Sequence, residues 1–274
     1  MAGTFTHFKF MNELDNKLNF KGDKALFLVA GQGHDLLFFI KLKDFSKFRM
    51  RSDIAKKIAK EKFAILVKCW QEEIIRTANA ELECLLYGYV AHHVLDAYIH
   101  PWINNTCDCY FDKEDEKTWL NNGKHEKLES IIDVLIANPY KQRIPYIKLQ
   151  EKTINSLNSI FDEVYNIANV GDLYSDGLKA INGFIKVYRN DKLGIKRLGY
   201  KFIDLMSKEN GQKFEFLSLN YSKKDKVLVK KIYMNEFNKL YDEALKMSEK
   251  LILEIENNLE HKKIADIAFD KPAI

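Results

Sequence analysis

No apolar run in this chain is long enough to cross a bilayer. The longest, Ala25–Gly31 and Leu36–Ile40, fall far short of the roughly 20 residues that a spanning helix needs. The opening residues, Met1 to Phe10, lack both the apolar centre and the small-residue cleavage site of a secretory signal. A soluble cytoplasmic protein with no transmembrane segment is therefore expected. Cysteine is scarce: Cys69, Cys84, Cys107 and Cys109 are four thiols in 274 residues, too few for a disulfide framework. The Cys107-Asp108-Cys109 triplet alone is a weak metal signal and reads as ordinary reduced cysteine. An excess of one charge is also missing, since 43 Lys+Arg face 39 Asp+Glu and the lysines are scattered along surface segments. Without a gathered basic and aromatic patch, no stable nucleic-acid binding is expected. No repeat or low-complexity linker divides the chain, and 46% hydrophobic residues suffice for the core of a single domain over 1–274.

What is present is helical patterning. After an extended start, a helix is expected up to about Phe20, and a buried apolar run over Lys24–Ala30. The periodicity predicts a long helix through Ile54–Ala78, capped by Ser52 or Asp53. It predicts others over Ile147–Val170, Asp172–Tyr188 and Leu193–Met206, and from about Val227 to His261. Phe214–Leu219 reads as irregular or as a short hairpin.

The stretch from Tyr87 to Pro101 carries the chemistry. On a helix, steps of four residues drift by only about 40°, so His92, Asp96 and His100 form one polar stripe on an otherwise apolar cylinder. That cylinder has no solvated face. A carboxylate and two imidazoles buried without partners would cost several kcal/mol, which points to metal coordination. His92 and Asp96 can share an ion, while His100, roughly 12 Å along the helix from His92, serves another. Pro101 and Asn104-Asn105 are expected to end this helix, and residues 102–124 to form a loop. The turn Asn121-Asn122-Gly123 then introduces an amphipathic helix with Leu128, Ile131, Ile132 and Leu135 on its buried side. His125 and Glu129 are a second i, i+4 ligand pair, of the nitrogen and oxygen type that suits zinc. Further upstream, His34-Asp35 is a polar pair between two apolar runs, more than a solvated turn requires. His93 points about 100° away from His92 and reads as a supporting or core histidine. His261, among lysines, reads as a solvated helix end.

Taken in order, Thr6-His7-Phe8-Lys9-Phe10, Gly33-His34-Asp35-Leu36-Leu37-Phe38-Phe39, the HxxxDxxxHP run and the HxxxE pair resemble the zinc-dependent phospholipase C family. The likeness is to its shorter intracellular bacterial branch. It implies an all-α helical bundle with metal ligands on facing helices, the motifs lying in 1–138 and additional helices in 139–274. Residues Glu236–Ala244 resemble the family's closing helix in texture. It also implies up to three zinc ions. His92, Asp96 and Asp35 would bind the first, Asp96 would bridge towards a second held by His7, and His100, His125 and Glu129 would bind the third. Asp35 is additionally the catalytic candidate, orienting or deprotonating the attacking water.

The sequence departs from the family pattern twice. In the secreted enzymes the processed amino terminus itself ligates zinc, whereas six residues precede His7 here. The family also has a zinc-binding histidine between the Asp35 motif and the HxxxD helix, yet positions 36 to 91 contain none. Arg51 cannot replace it because guanidinium stays charged. His34, standing where the family often has proline, is the residue that would supply the imidazole.

Zinc-dependent hydrolysis of a small-molecule or lipid phosphate ester by metal-activated water is the leading expectation. An HD-type phosphohydrolase using His7, His34-Asp35 and Asp96 is the alternative within metal chemistry. A metal-stabilised binding protein that keeps the fold without turnover is the alternative outside it.

Overall fold

Residues Ala80–Cys107 form one helix in which every side chain from Cys84 to Ala97 is buried. A helix of this kind is stable only when other helices cover it from all directions. The structure is a computed structural model that describes residues 3–39, 54, 57, 58, 62–107, 116–137, 146–189, 222–267 and 269. Among these residues the regular elements are all helical: α1 (Thr4–Leu18), α2 (Lys24–Ala30), a 3-10 turn (Gly33–Asp35), α3 (Leu36–Phe39), α4 (Phe63–Thr77), α5 (Ala80–Cys107), α6 (Glu116–Ile136), α7 (Glu151–Tyr165), α8 (Val170–Arg189), α9 (Lys223–Ile232) and α10 (Met234–Glu260). No described helix is long and apolar enough to cross a membrane.

α5 is the axis. α1, α2, α4, α6, α7, α10 and the 3-10 turn all pack against it, and α8 covers α3 and α7 from outside. α10 is its most extensive neighbour, presenting Phe237, Tyr241, Ala244, Leu245, Ser248, Leu251, Ile252 and Ile255 as one buried stripe at helical spacing. Asn79 starts α5 by accepting hydrogen bonds at its Oδ1 from the backbone of Glu81 and Leu82. Where α2 crosses α5 the backbones nearly touch. A Cβ added at Gly88 would lie 2.3 Å from Ala30 Cβ and 2.6 Å from its carbonyl carbon.

Helix boundaries differ from the sequence expectation in several places. The helix expected over Ile54–Ala78 is broken at Lys62, which is left-handed (φ 65°), so α4 begins at Phe63. Such a conformation costs a non-glycine residue about 1 kcal/mol. It is offset by tertiary contact: Lys62 Nζ donates to Val164 O at 2.8 Å and Lys57 Nζ to Tyr165 O at 2.7 Å, capping the carbonyl end of α7. Left-handed Asn166 and Asn169 split the region expected to be helical from Ile147 to Val170, asparagine being the residue that tolerates this conformation best after glycine. Tyr233 separates α9 from α10, where one helix was expected.

Pro101 does not end α5. It faces solvent, and beyond it Trp102 and Ile103 are buried, with Trp102 against Tyr233 and Phe237, so packing carries the helix past the lost backbone donor. Asn121-Asn122-Gly123 lies inside α6 rather than before it. Its penalty of at most about 1 kcal/mol per residue is outweighed by the burial of Leu128, Ile131 and Ile132 further along. The Ser52 or Asp53 cap, the helix over Leu193–Met206, the Phe214–Leu219 segment and Cys109 lie outside the described residues.

Gly88→Ala is expected to destabilise the protein by about 1–3 kcal/mol through overpacking. Gly183→Ala, at an exposed position of α8 with nothing near its Cβ, is expected to stabilise it by about 0.5–1 kcal/mol. Denaturant unfolding of the two variants checks this; effects of the same sign would contradict the crossing geometry.

Candidate metal centre

The candidate centre is built on α5, which contributes His92, Asp96 and His100 from one face. α1 brings His7 to that face, the 3-10 turn brings His34 and Asp35, and α6 brings His125 and Glu129. All eight are buried, none more than 7% exposed. They form two groups. Ligand atoms of His7, Asp35, His92 and Asp96 all lie within 4.8 Å of one another, and so do those of His100, His125 and Glu129.

Asp96 stands between the groups. Its Oδ2 is 3.4 Å from His92 Nε2, while its Oδ1 is 3.4 Å from His7 Nε2 and 3.5 Å from His100 Nε2. In the second group His125 Nε2 lies 2.8 Å from Glu129 Oε1, and the His100 and His125 rings are 5.4 Å apart. The resemblance assigned His7 to a second ion bridged by Asp96 to that of Asp35 and His92; the geometry gathers all four residues into one group. The described residues thus offer two candidate metal sites.

Local structure aims these side chains. His7 Nδ1 lies 3.2 Å from Gly3 O and His92 Nδ1 3.2 Å from Gly31 O. Each carbonyl accepts an N–H from the ring, which leaves the Nε2 lone pair facing inward. Gly33 sits at φ +48°, and a Cβ there would fall 2.2 Å from the His92 ring, so only glycine lets this turn carry Asp35 so close to α5.

Electrostatics follow from the crowding. Burial, with Asp96 beside it, pushes Asp35 well above the usual carboxylate range. Burial also acts on Asp96, but His100 and His92 next to it hold it well below that range. Burial pushes His92 and His100 down, whereas for His7 the Asp96 carboxylate outweighs burial and raises it. Glu129 is held at about 2, positive charge around it, including His125, overcoming burial. His7 Nε2 and Asp35 Oδ1, both buried, have no hydrogen-bond partner. A buried acceptor facing other acceptors requires a proton or a cation between them.

His34 turns inward. Its Nδ1 is 3.2 Å from His92 Nε2, its Nε2 is 3.8 Å from Asp35 Oδ1, and burial lowers its pKa to about 3. It therefore touches the first group without belonging to the closest set of four. His93 lies flat on Phe63, ring centroids 3.8 Å apart, and meets Phe269 edge-on. His261 is exposed at the end of α10.

Sequence reasoning missed three supporting features. Asp133 accepts hydrogen bonds from Phe5 N (3.1 Å), Thr6 N (2.7 Å) and Thr6 Oγ1 (2.6 Å), thereby capping α1 one residue before His7. A Cβ at Gly3 would collide with that carboxylate at 2.2 Å. The signal was present, because His125, Glu129 and Asp133 repeat every four residues on α6. Gln32, also buried, donates to Thr4 O at 3.1 Å and ties the turn region to the same helix start. The third feature is a pair of buried phenols, Tyr89 and Tyr174, whose hydroxyls have no hydrogen-bond partner; burial raises both, so both keep their protons.

Comparison of the chain with protein-family models, with curated proteins and with solved structures finds no match.

Burial raises Asp133 from 3.8 to about 6. The folded protein then holds this proton more tightly than the unfolded chain. Its contribution to stability is fully present below the ordinary value and is lost as pH rises through about 6, a change on the order of 3 kcal/mol. Urea unfolding of the wild type and of Asp133→Asn, which does not titrate, should show the wild type losing ground to the variant between pH 4 and pH 6. A difference independent of pH would contradict it. Asp133→Ala, which strands three donors, should cost about 1–3 kcal/mol and lower metal content through misplacement of His7.

Proposed function

We propose that this protein is a metal-dependent hydrolase of a phosphate ester, of the kind found in the zinc-dependent phospholipase C family that its motifs resemble. The observation that carries the reading is the position of Asp96, one buried carboxylate set between two groups of ligands. Both groups consist of imidazole and carboxylate, the donors that zinc accepts. His7 Nε2 and Asp35 Oδ1, near other polar atoms yet without a hydrogen bond, fit a cation better than a purely internal polar network. His7, Asp35, His92 and Asp96 would hold one ion, and His100, His125 and Glu129 the other. The chemistry an ion held by these residues would supply is a lowered pKa of bound water and compensation of charge on phosphoryl oxygens.

The remaining work falls to the chain. Asp35, whose Oδ1 is buried and makes no hydrogen bond, would as a carboxylate take the proton from the attacking water and return it to the leaving alkoxide. His34, kept neutral, lies against both Asp35 and His92 and fixes their orientation. Tyr89, whose ring lies 6.5 Å from that of His34, and Tyr174 are buried phenols that burial keeps protonated. A diester would leave as a monoester and an alcohol, with no other reactant than water.

A second reading is favoured by burial itself. With no ligand more than 7% exposed, an ester must find a path to them, and a metal-stabilised protein without turnover needs no such path. The HD-type alternative uses only His7, His34, Asp35 and Asp96 and leaves His100, His125 and Glu129 without a role.

Purified full-length protein of measured zinc content, assayed on chromogenic phosphodiesters and phosphomonoesters, separates these readings. Hydrolysis is expected to vanish with a chelator and to return with zinc. Asp35→Asn, which keeps an oxygen ligand, is expected to lower kcat by roughly 10²- to 10⁴-fold with most of the metal retained. A metal-loaded protein that hydrolyses no ester would overturn the hydrolase and leave the metal-stabilised reading.

A further inference from the structure

α9 is the most basic of the described helices, and three of its four apolar side chains are exposed. Its sequence is Lys223-Lys224-Asp225-Lys226-Val227-Leu228-Val229-Lys230-Lys231-Ile232, and of these only Val229 is buried. Val227, Leu228 and Ile232 are 56%, 51% and 53% exposed. Single exposed aliphatics are ordinary on protein surfaces, but three on one ten-residue helix are not scattered. Advancing about 100° per residue, the outer arc reads Lys230, Lys223, Val227, Lys231, Lys224, Leu228, Ile232. Every one of these is exposed. The helix's one acid, Asp225, borders this arc beside Ile232, 2.8 Å from Ser222 Oγ and with its charge met by Lys127 Nζ at 3.7 Å. The outer face thus carries four positive charges and three aliphatic side chains, with one acid at its edge that is paired to Lys127.

We propose that this face docks on an anionic lipid surface. Lysine ammonium groups meet the headgroup charge, and their flexible stems let the interleaved valine, leucine and isoleucine enter the boundary with the acyl chains. With about 1.5 Å of rise per residue α9 is some 15 Å long, so it lies in the plane of the interface and spans nothing. A second copy of the chain is a poor occupant, because a symmetric contact would set four lysines against four. A folded protein partner is a poorer fit than lipid, since the face lacks the tryptophan, tyrosine and arginine that anchor such interfaces. α9 also packs directly on α6, the helix that carries His125 and Glu129. Docking would set the second ligand group one helix behind the lipid. The proposal stands apart from the hydrolase reading, because docking is measured without turnover.

The test is co-sedimentation of the full-length protein with phosphatidylglycerol-containing vesicles and with pure phosphatidylcholine vesicles, in protein with and without chelator treatment. Partitioning is expected to be at least about tenfold stronger on the anionic vesicles and to fall as salt is raised. Lys224→Glu combined with Lys231→Glu should remove the preference, and Leu228→Ser combined with Ile232→Ser should weaken binding by about tenfold. All four positions are exposed, and an unchanged thermal melt confirms that the variants fold. Equal partitioning on both vesicle types would overturn the proposal, as would anionic binding that survives both double variants. Absence of vesicle binding together with a dimer abolished by Leu228→Ser/Ile232→Ser would assign the face to a second copy instead. Docking that persists after chelation while ester hydrolysis is absent would leave the surface established and the hydrolase reading overturned.

Discussion

A single carboxylate, that of Asp96, sets the terms for the rest of the molecule. It is fully buried in the middle of α5, and three imidazoles from His7, His92 and His100 approach it to 3.4–3.5 Å. An ionised group at that depth is tolerated only when compensating partners surround it, and burial without them would cost several kcal/mol, a large share of the stability of a domain. The helix that carries Asp96 is therefore enclosed on all sides, and the enclosing helices are the ones that deliver compensating ligands. Core packing and site construction are one problem here, solved by α1, the 3-10 turn and α6 converging on α5.

The convergence is held by contacts outside the ligand set. Asp133 on α6 caps α1, so the helix that bears His125 and Glu129 also fixes the start of the helix that bears His7. Gln32 ties the turn region of Asp35 to the same point. Such a network is of high consequence in a low-dielectric interior: fully satisfied it rigidifies the site, and one lost partner strands several groups. Glycine enters where backbones must pass close to this machinery, at Gly3 against Asp133 and at Gly33 against the His92 ring.

Much of the site was legible because helical periodicity is local. The spacing of His92, Asp96 and His100 puts them on one face whatever surrounds the helix, and the same holds for His125 and Glu129. An apolar helix with no polar face other than that stripe announces its own burial. What could not be read depends on partners distant in sequence. Left-handed Lys62 is held by the reach of its amine to Val164, and beyond Pro101 α5 is held by Trp102 packing on Tyr233 and Phe237. Asp133 meets Thr6 across 127 positions, so its role was hidden although its spacing was in view. That α1 brings the His7 ring onto His92, 4.5 Å apart and stacked, is likewise a contact that the spacing of neither motif contains. His34 shows the converse, since the lack of histidine from 36 to 91 pointed to the residue that does turn inward.

The most direct test is the metal content of the full-length protein and of Asp96→Ala, measured by elemental analysis after purification with zinc and dialysis. Two ions per chain are expected in the wild type, one for each buried group. Asp96→Ala should lose the ion of the His7, Asp35, His92 group and loosen that of His100, His125 and Glu129, because the same carboxylate lies against both. A wild type that retains no metal, or an Asp96→Ala variant that retains both ions at full occupancy, would contradict the central place given to this carboxylate.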